Sequence, residues 1–385
     1  MNIGHVSRPS VCYVPSKTYD GYTLFAPMRG PGVWLIDMKG NFVHHWEVSH
    51  DPACHGVLLE NGNLLYAGKS PDNALPEFGG SGGELLEIDW EGNIVWEYRD
   101  PYMHHDFQRL PSGNTLILKY VPTPDHIAAK IKGGIPGTER EGIIWADSFQ
   151  EITPDGKVVW EWLTHEHLDP EVDAMCPLCP RHQWTHINAC CALPNGDILT
   201  SIHQLNTIAI IDKNSKDLKW RWGPGELAHQ HNPTILDNGN ILVFDNGAHR
   251  PGRVVGFSRV LEVDLKGQIV WEFKEEAALL YYSSFISGCQ RLPNGNTLIC
   301  EGTIGRFIEV TPEKEVVWEY VCPFYSKKHP VWGLSNLVFR AHRYGPDYAG
   351  LKGKNLDPNA FKFGLYRKPL AEGEPVEKRL TDLGY

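Results

Sequence analysis

The chain has 385 residues, of which 42% are hydrophobic, 22% charged and 11% aromatic; this excludes intrinsic disorder and leaves room for one large β domain or two or three average ones. Lys+Arg of 36 against Asp+Glu of 47 gives a formal net charge of −11, which argues against a broad nucleic-acid or anionic-membrane surface. No run approaches roughly 18 consecutive apolar residues, so no helical span is expected. The N-terminal MNIGHVSRPSVCYVPSKTYDGYTLFAP lacks a basic-then-apolar leader pattern, which favours the cytoplasm.

Along the chain one unit recurs: an N-G-N type turn, an apolar strand, an acidic-apolar strand, a second turn and V-W-E-Y. DGYTLFAP leads to Trp46, NGNLLYAG to Trp96, SGNTLILK to Trp160, NGDILTSI to Trp220, NGNILVFD to Trp271 and NGNTLICE to Trp318. These six tryptophans are spaced 47 to 64 residues apart, the length of a propeller blade of four short strands. Period-2 strands joined by Gly, Asn and Asp turns read as antiparallel hairpins, and no segment sustains a capped 3.6-residue period. The expected fold is therefore all-β, a six-bladed β-propeller of four-stranded antiparallel blades.

The strand before each N-G-N turn reads CHGVLLE, HDFQRLP, NACCALP, HNPTILD and SGCQRLP. The sixth is SNLVFRAHRY, which is expected to pair beside DGYTLFAP and close the propeller with both chain ends in one blade. This makes residues 1–345 one propeller domain, with loop insertions at 121–143 and 163–185, and residues 346–385 a tail outside it. Both insertions fall in connections on one rim, where a propeller is expected to build a site.

Aligned on the turn, the first strands bring Cys54, His105, Asn188, His231, Ser287 and Asn336 to one level, with His186 on the same side as Asn188. His203, at the end of a second strand, reaches the same rim, as do His249 and Arg250 after FDNG. Four of the 18 histidines, His105, His186, His203 and His231, are thus expected to converge. Asn188, Asn232, His249 and Arg250 are the candidate substrate-binding residues, and Asp106 or Asp245 the candidate orienters of an imidazole. Trp184, Phe244, Tyr281, Tyr282 and Trp332 suit either an aromatic ligand body or packing between blades. Cys176-Pro-Leu-Cys179-Pro-Arg-His182 is a zinc half-site pattern; His182, Cys190, Cys191 or His186 could complete it as a structural site, and a disulfide or two buried thiols is the alternative.

QWTHINACCALPNGDILTSIHQLNTIAIID, WRWGPGELAHQHNPTILDNGNILVFDNGAHR and GFSRVLEVD, with HHDFQRLPSGNTLIL before them, resemble the arylsulfotransferase family of six-bladed propellers. The resemblance implies sulfuryl transfer between phenols through a sulfated histidine. It implies that His231, in HQHNP, is the nucleophile and that His105 and His186 support it. The family's arginine in a Ser-x-Arg stretch is replaced here by His203, in Ser201-Ile202-His203, so a permanent cation with a bidentate grip is lost. Arg109, Arg250, Arg253 and Arg306 are the candidates to compensate.

Two catalytic readings follow. In the first the chain is a transferase of the arylsulfotransferase type, acting without a cofactor on a small aromatic molecule through His231, with His105, His186 and His203 as acid, base and oxyanion donors. In the second the same four histidines, His105, His186, His203 and His231, hold a transition metal (Zn, Fe or Cu) for a hydrolase or lyase. Either way the partner is a small-molecule substrate rather than nucleic acid or membrane. The residues do not speak to oligomeric state.

Overall fold

The computed structural model describes residues 10–30, 32–252, 255–275, 281–329 and 333–360. It is nearly all-β, with six four-stranded antiparallel blades of a β-propeller. Its two α-helices, Asp125–Ala128 and Thr164–His167, are single turns. None of the described helices is long and apolar enough to cross a membrane.

The chain divides into two compact units, one of Met1–Tyr66, Leu86–Trp96 and Leu292–Tyr385, the other of Ala67–Leu85 and Glu97–Arg291. In the first unit the strand Val338–Tyr344 pairs antiparallel with Tyr22–Pro27, so one blade contains both ends of the repeat, as the sequence predicts. One strand was not anticipated. Ser10–Tyr13 adds a fifth, outer strand against Val316–Val321. Beyond the last blade strand, the Tyr348 hydroxyl donates to Leu58 O at 2.8 Å. Residues 361–385 of the expected tail lie outside the described residues.

The repeat residues have separate duties. The turn glycines take a left-handed backbone, and at Gly113 (φ 86°) and Gly239 (φ 82°) a Cβ would meet nothing within 4 Å, so there φ alone demands glycine. The turn asparagines bond the acidic residue of the third strand. Asn238 and Asn240 both donate to Glu262 Oε1, at 3.0 and 2.7 Å, and Asn114 donates to Glu151 Oε1 at 2.6 Å. Four of the six repeat tryptophans donate their indole N–H to the turn between the third and fourth strands of the following blade. Trp160 reaches Lys213 O at 2.9 Å and Trp220 reaches Leu265 O at 3.0 Å. In the first unit Trp46 reaches Asp89 O at 3.0 Å and Trp318 reaches Met38 O at 2.8 Å. The same side chain thus packs apolar area and satisfies a carbonyl.

The second unit holds the candidate site. Three of its sheets matter, those beginning with Met103–Arg109, Ile187–Ala192 and His231–Ile235. Between them run the segments 121–143 and 163–185, whose short strands Gly133–Ile135 and Met175–Pro180 pair in parallel. Arg181 fastens this pair, with Nη2 donating to Ile131 O at 3.1 Å, Nη1 donating to Gly133 O and Nε on Glu139 at 2.7 Å.

Candidate active site

Each of the three first strands is bulged near its start. Ile117 pairs with Phe107 but Leu118 pairs with His104, so His105 and Asp106 are extra residues; Asn188 and the Asn232–Pro233 stretch are displaced likewise. A bulge re-aims side chains that a regular strand would alternate. Four histidines carry the matching backbone signature, with left-handed φ of 48° at His105, 48° at His186, 58° at His229 and 56° at His249. Non-glycine residues rarely adopt this region, and where they do the surrounding structure must hold them there.

The imidazoles run in a continuous series. Ring centroids are 5.0 Å apart for His104–His105, 4.6 Å for His105–His186 and 4.9 Å for His186–His203. From His203 the series branches, 5.3 Å to His231 and 4.4 Å to His229, and His229 continues to His249 at 4.8 Å. His105, His186, His203 and His231 are therefore brought into one group. His104 and His229, which sequence reasoning passed over, belong to it as well.

Hydrogen bonds set the tautomers. Asn246 Nδ2 donates to Ser283 O at 2.7 Å and to Ile286 O at 2.8 Å, so the amide oxygen must be the atom facing His231. His231 Nδ1 lies 2.8 Å from that Oδ1 and is therefore the donor, which puts its basic lone pair on Nε2. His186 Nδ1 likewise donates to Gln183 Oε1. His104 Nε2 stands 3.2 Å from Asp147 Oδ1, and its Nδ1 stands 2.8 Å from His105 Nδ1. One of the two rings therefore donates to the other across the His104–His105 contact. Asp147 is itself held, its Oδ2 accepting from Ile187 N at 2.8 Å and from the Thr185 hydroxyl.

Burial disfavours the charged form of three of these rings. It depresses His186 to about 4 and His229 to about 3, and holds His203 well below the usual histidine range, where neighbouring imidazoles push it further down. His203 Nδ1 is buried with no hydrogen-bond partner among the described residues. The backbone of Gly79 and Gly80 lies close against the group: Gly80 O accepts from His105 N at 2.8 Å, and a Cβ on Gly80 would fall 2.3 Å from the His105 ring.

Several expected roles go elsewhere. Asn188 Nδ2 donates to Gln230 O at 3.0 Å, and Asn232 Oδ1 accepts from Cys289 N at 2.9 Å, both ties between neighbouring blades. Asp106 Oδ2 accepts from Cys190 N at 2.8 Å. Asp245 takes Ala228 N at 2.9 Å together with Arg250 at 2.6 Å and Arg259 at 2.7 Å. Imidazole orientation falls instead to Asp147, Asn246 and Gln183. Arg250 is engaged by Asp245 and by Glu226 O, and Arg306 by Glu319 at 2.7 Å and Glu301 at 3.4 Å, while Arg109 donates to Gly113 O at 3.2 Å. Arg253 and Trp332 lie outside the described residues. Trp184, Phe244 and Tyr281 are fully buried in the core, which favours packing over ligand contact.

The thiol pair meets different partners from those expected. Cys179 Sγ lies 3.1 Å from His229 Nε2 and 3.5 Å from His249 Nδ1, and Cys176 Sγ lies 3.4 Å from His249 Nδ1. The four ligand atoms fall within 4.8 Å of one another, the one such group of three or more among the described residues. His182 is not in it; its ring packs 4.7 Å from Phe78 instead. Cys190, Cys191 and His186 are not in it either, nor do His105, His186, His203 and His231 form such a group. Those four meet in series, edge to face at His105–His186 and His203–His231 and tilted at His186–His203, rather than around one point. All nine cysteines are free thiols. A hydrogen bond from Cys179 is the main cause that lowers Cys176 to about 5.

A β-propeller with a buried imidazole series at the bulged starts of its strands defines the class of protein. The sequence profile of the arylsulfotransferases (ASST) matches residues 55–322, and the chain belongs to that family. No curated protein matches the sequence significantly. Among solved structures, one of a Bacteroides caccae protein of unknown function shares 14% identity over 84% of this chain and 98% of its own, with a TM-score of 0.53; the likeness is one of fold. A catalytically inactive virginiamycin B lyase from Staphylococcus aureus with quinupristin is similar at 12% identity over 81% of this chain and 87% of its own, with a TM-score of 0.46.

Proposed function

We propose that this arylsulfotransferase-family chain transfers a sulfuryl group from an aryl sulfate to a phenol through His231. The observation that carries the reading is the clamp on His231: Asn246, oriented by two carbonyls, accepts a hydrogen bond from Nδ1 and so leaves the lone pair on Nε2 without a charged base.

In the first half-reaction His231 Nε2 attacks sulfur as the sulfur–oxygen bond to the aryl group breaks. The bonding pair leaves on the phenolate, which takes a proton from water. In the second half the acceptor phenol attacks sulfur, the nitrogen–sulfur bond breaks and the phenolic proton passes to a base. His105 suits that base. Its imidazole accepts the proton, and the Asp147 carboxylate, 3.2 Å from His104 Nε2, stands near enough to offset the charge. His203, which stands where the resemblance puts an arginine, offers its buried Nδ1 to a sulfuryl oxygen. Its grip is that of a single neutral donor, so a weaker ground-state hold on the sulfate is expected than a guanidinium would give.

The test is sulfuryl exchange between an aryl sulfate and a second phenol, run with and without a chelator. Exchange that survives the chelator supports the reading. Turnover that the chelator abolishes favours the metal-dependent hydrolase or lyase, and no turnover of any aryl sulfate removes the transferase reading.

A further inference from the structure

The segment 163–185 ends in a feature that sulfuryl transfer does not use. Cys176 and Cys179 lie on the strand Met175–Pro180, and both thiols are buried, at 9% and 5% exposure. They meet two imidazoles from separate loops, His229 just before the strand His231–Ile235 and His249 just after Ile241–Asp245. Both imidazoles ride on left-handed backbone, at φ 58° and 56°, which no strand or turn of the repeat requires.

The three sulfur–nitrogen distances are 3.1, 3.4 and 3.5 Å. A tetrahedral zinc with bonds of about 2.3 Å to sulfur and about 2.0–2.1 Å to nitrogen sets its sulfur–nitrogen edges at roughly 3.6 Å. Two thiols and two imidazoles from three separate segments, with their ligand atoms all within 4.8 Å of one another, make the donor set and spacing that such an ion takes. We propose that Cys176, Cys179, His229 and His249 form a closed four-coordinate site for one zinc ion. Two thiolates neutralise the divalent charge, and with all four positions filled the ion has no open position for substrate. Its effect is mechanical. It ties the 163–185 segment to His229, two residues before the proposed nucleophile, and to the loop that follows Asn246. The site stands or falls independently of the sulfuryl-transfer reading, because it is read out by metal content.

The full chain is stripped with chelator under reducing conditions, reloaded with zinc, desalted and analysed for metal, then repeated with cobalt. The wild type is expected to retain one equivalent and, with cobalt, to show the visible bands of a tetrahedral ion and a thiolate-to-metal charge-transfer band. Cys176→Ser and His249→Ala are each expected to lose that equivalent, and His182→Ala to keep it. His249 is exposed, so its replacement empties no core, and circular dichroism of each variant checks the fold. A wild-type chain that retains no more zinc than His249→Ala, or a cobalt spectrum without thiolate charge transfer, overturns the proposal. Loss of metal in His182→Ala with retention in His249→Ala overturns the ligand assignment.

Discussion

The imidazole of His203 meets that of His229 edge-on at 4.4 Å, and this contact joins two groups with different chemistry. On one side stand His105, His186 and His231, each with its Nδ1 fixed by a named partner. On the other stand Cys176, Cys179 and His249. A displacement of His229 therefore reaches His203 directly, and His231 through two peptide bonds.

The Asn246 clamp gives the sharpest mutational test. Asn246→Leu keeps the branched side-chain shape but removes the acceptor for His231 Nδ1, so both tautomers become populated and Nε2 is no longer reserved for sulfur. Turnover is expected to fall about 100-fold with little change in KM. Steady-state kinetics with an aryl sulfate checks this; an unchanged kcat contradicts the assigned tautomer.

Gly80 tests how closely the backbone must approach the imidazoles. Its φ of 73° strains any side chain, and a Cβ would press on His105. Gly80→Ala is expected to cost about 1–3 kcal/mol of stability and to displace His105. The measurement is denaturant unfolding beside activity, and loss of activity should exceed what the unfolded fraction explains. Gly113→Ala, strained equally but with open space around it, should lower stability and leave kcat alone.

Acid should unfold this protein through its buried histidines. Burial lowers both His44 and His186 to about 4. Unfolded, each titrates near 6.5, so between pH 6.5 and 4 the unfolded chain binds protons that the folded chain refuses. The stability is whole above about 6.5 and is lost as pH falls through 4, by at most about 3 kcal/mol for each group. His44 stacks on Trp90 at 3.8 Å in the first unit, whereas the imidazole series belongs to the second. His44→Gln is expected to lower stability at pH 7 but to flatten its fall between pH 6.5 and 4, seen as urea midpoints across that range. An equally steep fall in the variant contradicts the assignment.

The propeller was legible because each repeat residue answers a separate need: glycine for a left-handed φ, asparagine and glutamate for one another, tryptophan for a carbonyl of the next blade. Pairing of the chain ends followed from counting five complete first strands for six turns. Ser10–Tyr13 escaped because four residues without a flanking turn signal carry no periodicity. In the candidate site, alternation brought His105, His186, His203 and His231 together correctly as a group. It could not separate His229 from His231, since two residues apart on a strand means one face. The left-handed backbone at His229 breaks the extended run, and the two imidazoles take different partners, Cys179 and Asn246. Asp147 escaped for another reason: nothing in WADSFQEI distinguishes it from the acidic residues that serve the turns.

The most direct measurement is the mass of the protein quenched during turnover with an aryl sulfate and no acceptor. A gain of about 80 Da, the mass of one sulfuryl group, should map to the peptide bearing His231, disappear on adding a phenol and be absent in His231→Ala. Aryl sulfate turnover with no such adduct at any quench time, or an adduct that persists in His231→Ala, would contradict transfer through this histidine.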